Sequence, residues 1–201
     1  PGFIRFNEGH QPNVDELNKI TREVYSMLPD EQLNVVREET DELGYKHIRL
    51  QETKQGFPIQ DAIVIAHILN GKIMSMSGHY VEGIRTAQLS LMNEEKALQL
   101  AMQYLPAEVY KWQMPAEENM LKYATENPDA TYLPKGEQVW VEKAGKLILC
   151  WKFNIYAHEP MARKMIYVSD ADGSLTRTDE LIMEANSIGT AYTRYNGTQK
   201  I

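Results

Sequence analysis

Cysteine is almost absent from this chain: 201 residues contain one, Cys150. An intramolecular disulfide is excluded, and cysteine usage says nothing of compartment. Cys150 lies in the alternating apolar run Lys146-Leu-Ile-Leu-Cys-Trp-Lys-Phe153. That is the setting of a small buried hydrophobe, not of a reactive thiolate, which needs a polar, partly exposed surround. No apolar run approaches the roughly 20 residues that span a bilayer, and no stretch has the pattern of a secretory signal. Positive charge is scarce, with 21 Lys and Arg against 28 Asp and Glu and a net charge of -7. Nucleic acid is therefore a poor partner, because phosphate neutralisation dominates that affinity. Also missing are His-Glu-x-x-His, Gly-x-Ser-x-Gly and a glycine-rich phosphate loop after a strand. No catalytic residue, cofactor or metal site is expected within this chain.

What is present is ordinary soluble material, 43% apolar and 24% charged, in a length that fits one domain or two. The chain opens Pro1-Gly2-Phe3 without Met, the expectation for a trimmed or processed fragment. Asn13 before Val14-Asp15-Glu16 is a helix-start signal. Val14, Leu17, Ile20 and Val24 follow at helical spacing, so an amphipathic helix is predicted over 14–27, stopped by Pro29. Strands are predicted at 33–39, 46–52, 57–69 and 72–77. In the second of these, His47, Arg49 and Gln51 share one face while Ile48 and Leu50 share the other. Gln55-Gly56 and Asn70-Gly71 turn the chain, the latter a strong hairpin signal because both residues tolerate positive φ.

Residues 83–92 read as a linker. Asn93 caps a second helix whose stripe is Ala97, Leu98, Ala101 and Leu105, and Glu94-Glu95 suit its positive end. Pro115 starts a third helix with Met120, Leu121 and Ala124 on one side. Strands follow at 138–142, 146–157, 163–169 and 174–184, with Ala144-Gly145 and Asp170-Ala-Asp-Gly173 as turns. The fold class is α+β, in two units that each place a helix on an antiparallel meander. An extended, small and polar C-terminal tail, 185–201, completes the chain. The expected boundaries are 1–86, 87–184 and 185–201.

Each cluster that could carry chemistry has a plainer reading. The histidines, His10, His47, His67, His79 and His158, do not form a metal-binding helix spacing. His47 and His67 could meet across the sheet, where a hydrogen-bonded structural role is expected. Asp170-Ala-Asp-Gly173 opens like a calcium loop, but its twelfth position would be Leu181, so a hairpin turn is expected. Glu38-Glu39, Asp41-Glu42, Glu94-Glu95 and Glu117-Glu118 are adjacent carboxylates whose side chains point apart. Trp112, Trp140 and Trp151 read as sheet and core residues.

The stretch from Gly44 to Gly78 resembles the FTP motif of fungalysin and thermolysin propeptides. Gly44, His47, Arg49, Gln51, Gly56, Pro58 and Ile59, then His67, Gly71 and Gly78, fall where that pattern has turn glycines and strand residues. Leu50 departs from it where an aromatic is common, and Gln60-Asp61-Ala62 replaces a more glycine-rich bulge. The second half, through Leu147–Phe153 and Tyr167–Gly173, resembles a PepSY domain. Gly189–Gly197 resembles a junction into a thermolysin-like catalytic domain.

The resemblance implies a non-catalytic prodomain of an exported zinc metallopeptidase, whether periplasmic, cell-surface or secreted. Its partner would be its own C-terminal peptidase domain, which it would help to fold and would inhibit until removed. Zinc is expected in that absent domain, not in this fragment. Nine residues, Gly44, His47, Arg49, Gln51, Gly56, Pro58, His67, Gly71 and Gly78, would serve the motif structurally. Leu181, Ile182, Glu184, Asn186, Ser187, Ile188, Gly189 and Thr190 would form the cleft and processing segment. The alternative is a stand-alone PepSY-type binding or protease-regulating module of the cell envelope; a hydrolase in its own right is a third reading.

Overall fold

The computed structural model describes residues 2–83, 85–86, 92–182, 190–193 and 197–200. Among these residues the fold is α+β, with three α-helices and a large sheet whose pairing is mostly antiparallel. β1 (Phe3–Arg5) leads to a 3-10 turn, Val14–Glu16, and α1 (Leu17–Val24). Then come β2 (Glu31–Thr40), β3 (Lys46–Lys54), β4 (Phe57–Leu69) and β5 (Lys72–Gly78). The backbone amide of Asn13 donates to the Glu16 carboxylate at 3.2 Å, which opens the helical segment. The helix ends at Val24, short of the predicted 27. Tyr25 is withdrawn into the core, stacked on Tyr80 at 4.5 Å, and Ser26 turns the chain at φ +50°.

Period-2 alternation on β3 and β4 sorts the sheet into two faces. Ile48, Leu50, Val64, Ala66 and Ile68 point inward and join Ile73, Met76, Tyr25 and Tyr80 under α1. His47, Arg49, Gln51, Ile63, Ile65 and His67 point outward and are half-buried. β3 runs two residues beyond its predicted end. Glu52 and Lys54 keep the parity of Ile48 and Leu50 and so turn inward with them.

After β6 (Arg85–Thr86), α2 (Glu94–Gln103) is capped by Asn93, whose side chain accepts from the Lys96 amide at 2.9 Å. Ala97, Ala101 and Leu105 of its predicted stripe are buried and Leu98 packs at the margin, against Phe153, Ile155, Ile166 and Val168. Next come β7 (Val109–Tyr110), a 3-10 turn at Lys111–Gln113, and α3 (Pro115–Thr125). α3 corrects its predicted packing stripe, because none of its residues is buried and Met120 is 69% exposed. Polar hooks hold it instead. Glu117 meets Lys111 at 2.7 Å, and Glu118 accepts from the Tyr132 amide at 2.8 Å.

The meander β8 (Glu137–Lys143), β9 (Lys146–Glu159), β10 (Ala162–Ser169) and β11 (Leu175–Glu180) closes the sheet. β11 stops at Glu180, short of the predicted 184. Cys150 is fully buried on β9, and burial pushes its thiol up to about 11, as a structural cysteine requires. β12 (Thr190–Thr193) pairs with β13 (Gly197–Lys200), so the predicted extended tail contains a strand pair.

The two stretches of sheet meet where β4 and β8 pair in parallel at a single position, Ile59 opposite Trp140. Trp140 is fully buried there among Ile59, Ala62, Val81, Leu147 and Leu149, and its indole N–H donates to the Lys54 carbonyl at 2.8 Å. On β4, Asp61 takes φ +64° and bends the strand between its β8-facing and β5-facing parts. Arg177 of β11 pairs with Asp61 across this seam and with Asp179 at 2.8 Å.

Beside the seam lies a buried ionic cluster. Lys54 meets Glu31 at 2.8 Å, Tyr80 donates to Glu31 at 2.9 Å, and the Val81 amide donates to Glu52 at 2.8 Å. Burial, reinforced by the Glu31 charge, pushes the Glu52 carboxyl up to about 7, against the Val81 bond and Lys54, which act in the opposite direction. Above pH 4.5 the unfolded chain sheds this proton while the folded chain keeps it until about pH 7. Stability from this group is therefore present in acid and lost as pH rises across that window. Glu52→Gln removes the titration. Relative to wild type, its unfolding free energy should rise by about 3 kcal/mol more at pH 8 than at pH 4. Urea melts at the two pH values check it, and a constant difference would refute it.

Candidate functional site

The outer face of β3, β4 and β5 gathers the polar residues that the sequence set apart. His47 and His67 stand directly opposite each other, with Nδ1 atoms 2.8 Å apart. His47 Nε2 lies 3.1 Å from Asp41 Oδ2, and His67 Nε2 lies 2.9 Å from Ser77 Oγ. Proton order follows from the ends of this relay. The Asp41 carboxylate can only accept, so His47 Nε2 carries a proton. With both rings neutral, His47 Nδ1 then accepts from His67 Nδ1–H, and His67 Nε2 accepts from the Ser77 hydroxyl. The His47 bond is also the main cause holding the Asp41 carboxyl below its usual range, helped by the Tyr45 and Leu43 amides. Burial, then the neighbouring His47, pulls His67 below the usual imidazole range.

Such a relay could polarise a serine, but acyl transfer also needs free N–H groups to hold an oxyanion. Ser77 sits mid-ladder between β1 and β4. The adjacent amides are committed, Gly78 to the Gly2 carbonyl at 3.0 Å and His79 to the Ile63 carbonyl at 2.8 Å. The arrangement orders protons and ties three strands together. No cluster of three or more His, Cys, Asp or Glu that could hold a metal occurs among the described residues.

Gln51 serves the bend at Asp61. Its amide nitrogen lies 2.9 Å from the Glu52 carbonyl, 2.8 Å from that of Ile59 and 3.1 Å from that of Ala62. These acceptors are left over where the β3–β4 register slips between Gln51 and Thr53. The strand bends and a side-chain amide collects the stranded carbonyls. Gln51→Leu should cost about 2 kcal/mol of stability, because buried acceptors lose their donor. Thermal or urea unfolding reads the loss, and a change below about 0.5 kcal/mol would contradict this role.

Other residues of the same set are accounted for by the turns. Gly44, Gly56 and Gly71 have positive φ where the chain reverses, and Pro58 sits at the start of β4 opposite Thr53. Gly78 admits the Ile63 carbonyl against its Cα. Arg49 differs: the residue is half-buried and has no hydrogen bond or ion pair to any described residue. Of the expected cleft segment, Leu181 is exposed and Ile182 half-buried just past β11, and Thr190 opens β12. Glu184, Asn186, Ser187, Ile188 and Gly189 lie outside the described residues. The Glu31–Lys54–Glu52 cluster was missed from sequence, although the parity of Glu52 and Lys54 with Leu50 was its signal.

Comparison with known proteins bears on the same strands. Residues 31–80, from β2 to just past β5, match the Fungalysin/Thermolysin Propeptide Motif. The chain is 26% identical over 149 residues to a thermolysin of Alicyclobacillus acidocaldarius, covering 72% of this chain and 25% of that protein. It is 26% identical over 190 residues to the bacillolysin of Bacillus subtilis (strain 168), covering 92% of this chain and 34% of that protein. The bacillolysin of Bacillus amyloliquefaciens gives 25% over 188 residues, 92% of this chain and 33% of that protein. The chain thus spans about a quarter to a third of the length of the curated relatives it matches. A propeptide motif over β2–β5, within a chain similar to thermolysins and bacillolysins, supports a thermolysin-type propeptide role.

Proposed function

We propose that this chain is a prodomain that assists the folding of a thermolysin-like zinc metallopeptidase domain, inhibits it, and is removed by proteolysis. The observation that carries the reading is the propeptide motif at 31–80 inside a chain that covers only part of its peptidase relatives. In this reading residues 1–86 form an FTP unit and 87–184 a PepSY-like unit. The zinc belongs to the peptidase domain, and the precursor is exported. The chain does three things. Its sheet docks on the peptidase and buries apolar surface. Its segment from Leu181 to Thr190 runs extended through the active-site cleft. Its covalent attachment keeps that segment at high effective concentration, so modest contacts suffice for inhibition. Cleavage between Asn186 and Thr190 then frees the mature enzyme.

The folding role is tested by diluting the denatured peptidase domain of the same precursor into buffer, with and without residues 1–201. The expected result is a several-fold higher yield of active peptidase with the chain present. An unchanged yield removes the chaperone part of the proposal.

A further inference from the structure

On the outer face of β1–β5, two arginines stand in adjoining strands of a chain that is acidic overall. Along one row across the strands, Arg37 of β2 stands directly opposite Arg49 of β3, and Ile65, Ser77 and Phe3 follow on β4, β5 and β1. Like charges directly opposite each other across a strand pair are destabilising. Arg37 is compensated by Glu39, whose carboxylate lies 2.7 Å away. Arg49 has no counter-charge among the described residues. The chain as a whole carries seven more acidic than basic groups, yet none of them is placed to answer Arg49.

We infer that Arg49, with Arg37 beside it, is a docking point for one carboxylate, an aspartate or glutamate in an extended, otherwise apolar segment of a partner protein. Within the Arg37–Arg49 row one positive charge is left uncompensated, and a single carboxylate neutralises it. A guanidinium fork takes a carboxylate through two parallel N–H bonds. The row continues in half-buried Ile65 and in Phe3, which is 64% exposed. Those side chains can cover apolar neighbours of the carboxylate but offer nothing to a free anion. Within the prodomain reading the peptidase domain bears the carboxylate, and either proposal can fail without the other.

The test is an NMR titration of 15N-labelled 1–201 at low salt with the capped peptide Gly-Val-Glu-Val-Gly. A saturable shift of the Arg49 Nε–H resonance is expected. Arg49→Gln should bind at least about tenfold more weakly, and Arg49→Lys should fall between the two. The Val-Gln-Val counterpart should cause no shift. Arg49→Gln should also raise Tm by about 1–3 °C, because the like-charge pair with Arg37 is relieved. Equal affinity of Arg49→Gln, equal binding of the neutral peptide, or inorganic phosphate shifting Arg49 as strongly as the acidic peptide would each overturn the inference. A Tm several degrees lower in Arg49→Gln would do the same, because it would make Arg49 a structural residue.

Discussion

Gly78→Ala is expected to cost roughly 3–5 kcal/mol, because the added methyl group meets backbone that cannot move aside. At Gly78 the backbone has φ +123°, and a Cβ would lie 2.2 Å from the Ile63 carbonyl oxygen and 3.1 Å from the Ile63 carbonyl carbon and Val64 Cα. All three are backbone atoms of β4, so no rotamer change relieves the clash. β5 would have to leave β4, and with it the Gly78–Gly2 and His79–Ile63 hydrogen bonds. Such a loss is a large part of the whole stability of a typical domain. Gly56→Ala is the control: φ there is +85°, but nothing lies within 4 Å of the added carbon, so only about 1 kcal/mol is expected. Urea denaturation of both variants checks the pair. A Gly78→Ala loss no larger than that of Gly56→Ala would show that the close approach of β4 and β5 is not a constraint.

Lys54→Met is expected to cost about 3–5 kcal/mol at pH 8. Lys54 is 5% exposed and Glu31 2%. Burial alone would raise the Glu31 carboxyl. The bonds from Lys54, the Leu28 amide and Tyr80 outweigh it, together with the Lys54 charge, and hold Glu31 below the usual range. A depressed carboxyl contributes stability above its unfolded value, and that contribution is lost as pH falls through the folded one. Removing Lys54 reverses the balance, leaving Glu31 and Glu52 as two buried carboxylates with no cation between them. Protonation then becomes the relief, so the penalty should shrink from pH 8 to pH 5. A penalty independent of pH would mean that the lysine acts through packing of its stem alone.

The first sheet was legible because two local signals agree there. Strict alternation assigns the faces of β3 and β4, and Gln55-Gly56 and Asn70-Gly71 fix their turns, so the meeting of His47 with His67 followed from parity. α2 was legible for the same reason, with Asn93, Ala97 and Ala101 each in its expected role. α3 was not. Met120, Leu121 and Ala124 show helical spacing, but spacing cannot say whether anything covers the face they make. The seam was hidden as well, since one parallel bridge between Ile59 and Trp140 joins residues 81 positions apart and leaves no pattern in either strand. The buried charges were misplaced for a chemical reason. Glu52 ended the predicted strand and Lys54 lay past it, whereas the fold keeps both on the inward face, with Lys54 paired to Glu31 and Glu52 accepting from the Val81 amide. The helix at 14–24 came out short because Tyr25 was needed in the core, a demand set by Tyr80 far along the chain.

The proposed inhibition of a thermolysin-like peptidase would act through the segment that follows β11. The direct measurement is the hydrolysis rate of the mature peptidase domain of the same precursor, with residues 1–201 or 1–180 added in trans. Saturable inhibition by 1–201, weakened at least tenfold on removal of 181–201, is the predicted result. Full activity at every concentration of 1–201 would contradict it.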